Sequence, residues 1–471
     1  MTLDWPLGDI FETVDDSSEE LVGDLRRVLR QPSVTDNEAD CKACAELVAG
    51  LIRDSGFEAE LLPSWHNPLV FGRTEQREGR PTLLVTGHYD VVPTGPEADW
   101  RYPPFSAELD DRGTIFARGA CDPKGNIVAS IEAARVLQRT FGDTAVNLKF
   151  LFEGDDEGPG EHLTKMTSFA EAHRDLLCAD AVLLVDSGFS RSGHSAIHLG
   201  TAGSLALELK VRTGSKPPAY IHTQLVPDAA FRLVWAMASL KSPDERVTVE
   251  GFYDDVRAPS PSADAWLAEV PWNDEAERAF WGVSELLTGV SGLDAVRRMV
   301  YAPTCSIHGI EPGLERANSD SMVPNEARAW INFHLVADQN PDDIYRKVRR
   351  HLDLHGFEDV EIETVRSFAP LGGASPDAPI GQAALKASSQ AGVGAYLLPD
   401  SYEIGDKWCC LADRLGIDGA LFGIGDPDRA AHMPNEHISV DYFLQGIKWI
   451  AATYCEFATA AHPLQPAQIG A

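Results

Sequence analysis

Basic residues are scarce in this sequence. The 471 residues include 40 Lys and Arg against 72 Asp and Glu, a formal net charge of −32. Nucleic acids and anionic membranes are bound by basic stripes, so neither is expected as a partner. No run of eighteen apolar residues occurs, so no membrane-spanning helix is expected. The opening residues, MTLDWPLGDIFETVDD, are acidic and lack a basic segment leading into an apolar one. They do not read as a secretory signal. The eight cysteines are taken as scattered thiols, apart from the adjacent Cys409 and Cys410. Without a signal, they fit a reducing cytoplasm rather than a disulfide framework.

A chain this long exceeds one ordinary core, which points to two domains. The first part alternates helical and strand patterns. SSEELVGDLRRVLRQPSV places Leu21, Val22, Leu25, Val28 and Leu29 on one helical face. PTLLVTGHYD, LKFLFEG and AVLLVDSG are short apolar strands, and GNIVASIEAARVLQRTF reads as a helix. Such runs suit a mixed, mostly parallel sheet flanked by helices, an α/β arrangement. Near residue 203 the pattern changes. SLALELKVRT alternates strictly, with Leu205, Leu207, Leu209 and Val211 on one face. Helices from AFRLVWAMASL and PDDIYRKVRRHLDLHG and strands from RAWINFHLV and VEIETVR follow, giving an α+β unit with an antiparallel sheet. GALFGIG and a last helix then resume the first unit. The expected division is 1–202 and 368–471 for a catalytic domain, with 203–367 inserted.

The chemistry-bearing residues fall at strand ends. FEGDDEG, residues 152–158, packs four acids behind an apolar strand. Burial and mutual repulsion penalise such charges unless something compensates. His88 and Asp90 follow TLLVTG, Asp122 precedes a helix, Asp186 follows AVLLV, and His432 lies beyond GALFGIG. Strand ends of an open α/β sheet line one crevice. Two imidazoles and three carboxylates from five segments suffice for two zinc-class ions if one carboxylate bridges them. Taken singly, each of these is an ordinary turn residue or cap. Trp235, Trp330, Trp449, Cys121 and the Cys409–Cys410 pair read as core, and Lys124 as a surface or supporting cation.

Six motifs together resemble the aminoacylase, carnosinase and succinyl-diaminopimelate desuccinylase family of two-metal peptidases, nearest its carnosinase-like branch. They are GHYDVVP (87–93), Trp100 to Phe105, ARGACDPKG (117–125), EGDDEG (153–158), LLVDSG (183–188) and HMPNE (432–436). The resemblance implies that His88 and Asp186 hold one metal, Glu157 and His432 a second, and Asp122 both. It implies that Asp90 orients the His88 imidazole and that Asp156, before Glu157, is the general base acting on a water between the metals. It also implies a cis bond after Asp122 and a homodimer formed through the inserted domain; the N and O donors themselves suit two divalent ions, zinc first, with manganese or cobalt possible. His222 would be a lid histidine that stabilises the oxyanion.

The substrate side departs from the family. Asp156 stands where that family carries Glu. His334 stands where an Arg holds the substrate carboxylate, and Ile404-Gly405-Asp406 replaces a Gly-Gly-Ser loop. Ser321, His334 and Asp406 are the expected substrate-binding residues. The reading is a two-metal hydrolase of an amide or related C–N bond, in a small molecule such as a dipeptide-like or N-acyl amino acid substrate. The alternatives are an aminohydrolase on a small ring compound and a non-catalytic metal-binding relative.

Overall fold

The computed structural model describes residues 5–158, 162–186, 192–313, 321–371, 374–402 and 407–461. Among them, eight strands form one large sheet. In spatial order they are Glu58–Leu62, Leu69–Arg73, Asn147–Glu153, Thr82–His88, Ala181–Val185, Asp418–Phe422, Ser195–His198 and Ala395–Leu398. The four central strands, Asn147–Glu153 to Asp418–Phe422, run parallel to one another. The first two strands are antiparallel to each other, and Leu69–Arg73 is antiparallel to Asn147–Glu153.

Both faces of this sheet are covered, which is why its strands read as unbroken apolar runs. In Thr82–His88, Leu83 and Val85 join the core shared with helices Glu38–Asp54, Lys124–Phe141, Pro379–Gln390 and Val440–Ala460. Leu84, between them, joins the opposite core with Met166, Ala170 and Leu411. Trp449 is fully buried and stacks on Phe422 with ring centroids 4.0 Å apart. Among the described residues, no helix is long and apolar enough to cross a membrane.

A second, four-stranded sheet is antiparallel throughout, in the order Thr304–Glu311, Glu326–Leu335, Gly203–Arg212, Glu361–Phe368. The alternation in Gly203–Arg212 buries Leu205, Leu207, Leu209 and Val211 beneath helices Ala229–Leu240 and Pro341–Leu354. The edge strand Thr304–Glu311 had no clear sequence signal, because only Cys305 of its eight residues is buried. Trp235 is also not core: it is 56% exposed, on the outer face of its helix.

Between the second sheet's first helix and its edge strand, Val247, Val249 and Phe252 still join that sheet's core, and the residues after them pack elsewhere. Helices Pro261–Leu267 and Gly292–Tyr301 bury Leu267, Val296, Val300 and Tyr301 against Ala196, Tyr396 and Leu398. This segment therefore packs on the end of the large sheet. Arg257 reaches Asp400 at 2.9 Å, and the Tyr301 hydroxyl also donates to Asp400.

Two readings of single residues change. Of the two readings of Lys124, a surface or a supporting cation, burial removes the first: it is wholly buried, and its Nζ donates to Gln31 O at 2.6 Å. Cys41 and Cys44 are not scattered: they stand three apart in one helix, buried and unpaired. Burial raises both thiols above their ordinary pKa, which keeps them protonated packing groups.

Candidate metal centre

The large sheet delivers its strand ends to one crevice. His88 ends Thr82–His88, and FEGDDEG begins at the end of the adjacent parallel strand, with His88 paired to Glu153. The acidic turn folds tightly because of Gly154. A side chain there would lie 2.3 Å from the Tyr89 ring. Asp122 precedes helix Lys124–Phe141, and the Asp122–Pro123 bond is cis.

The cluster is built around Asp122. Its Oδ1 lies 3.6 Å from His88 Nε2, and its Oδ2 lies 3.0 Å from His432 Nε2. His88 Nε2 is also 3.5 Å from Asp186 and 4.0 Å from Asp156. His432 Nε2 is 2.8 Å from Glu157 Oε1. Donor atoms of His88, Asp122 and Glu157 all lie within 4.8 Å of one another. His432 is held at a positive φ of 62°, a region unusual for a side chain of this kind. Asn435 fixes that loop by accepting from Arg101 N–H at 2.6 Å and donating to Asp99 O at 3.1 Å.

A buried layer supports these groups. Asp90 is fully buried, and one of its oxygens lies 3.2 Å from His88 Nδ1. The same carboxylate accepts from the backbone N–H of Asp156 at 3.2 Å and of Glu157 at 2.9 Å. Thr35 Oγ1 donates to it at 2.7 Å. One buried acid thus sets the imidazole and the acidic turn together. Asp155 faces away: Asn67 donates to it from both backbone and side chain, and His66 lies 3.0 Å off.

Behind Asp122, Glu436 Oε1 accepts from the Cys121 and Asp122 backbone N–H groups, at 3.2 and 3.1 Å. Its other oxygen meets the buried Arg118 at 2.6 Å. Thr35, Asn67, Arg118 and Glu436 were not singled out from the sequence. Arg118 and Glu436 do fall inside the quoted motifs ARGACDPKG and HMPNE, which was the available signal.

The electrostatics match a cation site. Burial pulls the His88 imidazole down, but Asp156, Asp186 and Asp90 outweigh it and raise its pKa well above the usual value. Hydrogen bonds to Asp122 and Glu157 raise His432 to about 10. Burial works to raise Asp122, but the His432 bond and the two imidazoles leave it lowered. Burial raises Asp186, and the charge of Asp122 adds to it. Both imidazoles thus take up positive charge from this environment. Divalent cations of the zinc class, with their preference for N and O donors, fit the same groups.

His334, His222 and Ser321 lie outside this cluster of ion pairs. His334 is half-buried on strand Glu326–Leu335, and burial lowers its pKa. His222 is exposed in the turn Tyr220–His222, where Tyr220 N–H donates to Ser321 O at 3.0 Å. That bond links the His222 turn to Ser321, and the ion pairs of the cluster involve neither residue. Asp406 lies outside the described residues.

Residues 84–456 match the profile of the peptidase family M20/M25/M40. The Cys-Gly metallodipeptidase dug1 of Schizosaccharomyces pombe is 24% identical, over 97% of this chain and 99% of its own. Among solved structures, the M20 family metallo-carboxypeptidase Sso-CP2 of Sulfolobus solfataricus superposes with a TM-score of 0.84 at 27% identity. That match covers 93% of this chain and 99% of the other. Human carnosine dipeptidase 1 shares the fold, with a TM-score of 0.82 at 21% identity over 97% and 99% of the two chains. The chain belongs to the peptidase family M20/M25/M40 and is a hydrolase of peptide or related amide bonds.

Proposed function

We propose that this protein is a two-metal hydrolase that cleaves the amide bond of a small dipeptide-like or N-acyl amino acid substrate. His88 and Asp186 would hold one cation, Glu157 and His432 the other, and Asp122 both. Zinc is the proposed metal, with manganese and cobalt as alternatives that the same donors accept. When bound, such ions lower the pKa of a water and polarise the scissile carbonyl.

The rest of the work falls to side chains of this chain. Asp156 takes a proton from the attacking water and returns it to the leaving amine, so that an amide and water become a carboxylate and an amine. Asp90 acts through His88, fixing the ring by its Nδ1 so that Nε2 faces the crevice. The observation that carries this reading is Asp122, with one oxygen facing His88 Nε2 and the other facing His432 Nε2.

The test is elemental analysis of the purified protein together with hydrolysis assays of dipeptides and N-acyl amino acids in zinc, manganese and cobalt. Two metal ions per chain and release of a primary amine are expected. Fewer than one ion per chain, or release of ammonia in place of an amine, overturns the assignment. We further propose a homodimer formed through the inserted domain, residues 203–367, and a cytoplasmic location. Cys41, Cys44, Cys121, Cys178, Cys305 and Cys455 form no disulfide, which supports a reducing compartment.

A further inference from the structure

Asp122 and Glu436 stand 314 residues apart in the sequence. A small antiparallel sheet brings their segments together. Strand His437–Ser439 pairs with Thr114–Phe116, so the residues just outside that pairing meet as well: Ala117 N–H donates to Glu436 O at 3.0 Å. From this point one chain segment runs on to Asp122 and the other runs back to His432.

One buried ion pair ties the two segments. Glu436 has no exposed surface, and Arg118 is 1% exposed. Glu436 Oε1 accepts from the N–H groups of Cys121 and Asp122, at 3.2 and 3.1 Å. Its Oε2 accepts from Arg118 Nη1 at 2.6 Å. The same Nη1 donates to Met433 O, the residue after His432, at 3.3 Å. Arg118 is itself held, with Nη2 donating to Pro93 O at 3.4 Å and its guanidinium 5.2 Å over the Trp100 ring. The pair thus grips the backbone of Asp122 on one side and the backbone beside His432 on the other.

The two sides of Asp122 depend on this grip unequally. His88 ends a strand of the large sheet, Asp186 follows the next strand, and Asp90 fixes the His88 ring. Glu157 N–H is also held by Asp90. His432 instead lies on a loop, at a φ of 62°, with its side chain 53% exposed. Buried partners beneath a metal ligand set where its donor atom stands, and their loss typically weakens metal binding by about 10–100-fold.

We infer that Arg118 and Glu436 are positioning residues for the cation on the His432 side of Asp122. They keep Asp122 Oδ2 opposite His432 Nε2, 3.0 Å away, while the His88 side has supports of its own. The inference rests on the reading of the cluster as a two-metal site.

Calorimetric titration of the metal-stripped full chain with zinc tests it without turnover. Glu436→Asp keeps a charge opposite Arg118 but draws the carboxylate back by about one methylene from the two N–H groups. The unaltered protein should bind two zinc ions. In Glu436→Asp one site should stay within about threefold and the other should weaken by at least about tenfold. The double change Arg118→Gln, Glu436→Gln keeps an acceptor oxygen at full reach and leaves no buried charge unpaired. It should retain both sites within about threefold. Adding Glu436→Asp to His432→Ala should leave the one remaining site within about threefold, because the position it disturbs is already gone.

Two unchanged sites in Glu436→Asp, equal weakening of both, or weakening of the site that His432→Ala retains overturns the inference. Loss of a site in the double change assigns the effect to charge and overturns the positioning role. Fewer than two zinc ions in the unaltered protein overturns the two-metal reading, and the inference with it. Two zinc ions, an unequal effect of Glu436→Asp and no hydrolysis of any amide overturns the hydrolase reading and leaves the positioning role standing.

Discussion

Asp156 is the residue on which the proposed chemistry depends. Of the two central acids of FEGDDEG, Asp155 is taken by Asn67 and His66 and is only 6% exposed in its side chain. Asp156 is 27% exposed and faces the crevice, 4.0 Å from His88 Nε2. Asp156→Asn should therefore keep both metals by elemental analysis while turnover falls by about 10²–10⁴-fold, the usual contribution of a positioned base. Asp156→Glu should also lose activity, because the longer acid crowds a site set for the shorter one. Full activity in Asp156→Asn would remove the residue from the mechanism, and a gain in Asp156→Glu would mark it as a weakened base. His88, Asp122 and Asp186 were legible because each ends or follows an apolar strand or precedes a helix, so local sequence placed it, whereas His432 lies in a loop beyond strand Asp418–Phe422. The layer beneath was not legible. Glu436 meets Arg118 across more than 300 residues of chain, and Asn67 meets Asp155 across 88, so neither partner carries a local sign of the other.

At the scale of elements, strands buried on both faces and helices with one apolar side were readable from periodicity. The helices of the inserted segment were not, because their apolar residues bury against distant strand ends such as Ala196 and Leu398. Helix Lys124–Phe141 carries a further consequence. It is so thoroughly enclosed that Glu132 has no exposed surface where it packs beside helix Ser18–Leu29. Arg135 Nε lies 2.6 Å from it, while Asp24 and Glu20 draw the rest of that guanidinium. Burial pushes Glu132 up to about 8, against 4.5 for a free side chain. Between those two pH values the unfolded chain has released a proton that the folded protein keeps. Folding stability from this group is therefore highest below pH 4.5, falls as pH rises towards 8, and is level above it. Glu132→Gln should flatten that slope and raise the urea midpoint at pH 8 more than at pH 5. An equal or larger gain at pH 5 would show that the carboxyl is ionised throughout.

The whole molecule combines high negative charge with an uncovered apolar surface. Helix Ala229–Leu240 buries Leu233, Ala236, Met237 and Leu240 and turns Phe231, Val234 and Trp235 outward. Tyr220, Ile221 and Leu225, in the chain leading to that helix, are 57–85% exposed. On the edge strand Thr304–Glu311, Ile307 and Ile310 are each 53% exposed. A second copy of the chain is the proposed cover. Light scattering should give twice the mass of one chain, and Trp235→Glu, at an exposed site, should give a folded monomer. Two chains of formal charge −32 repel. Screening by salt should then tighten the dimer, where an interface held by ion pairs would loosen. His222 stands in the same exposed turn, and we propose that it serves a neighbouring chain's site. If it does, inactive His88→Ala and His222→Ala chains should regain activity when mixed, because a mixed dimer has one site with both residues intact. A verified mixed dimer with no recovered turnover would confine each site to its own chain. A protein that stays monomeric at every salt concentration would leave the apolar surface to some other cover.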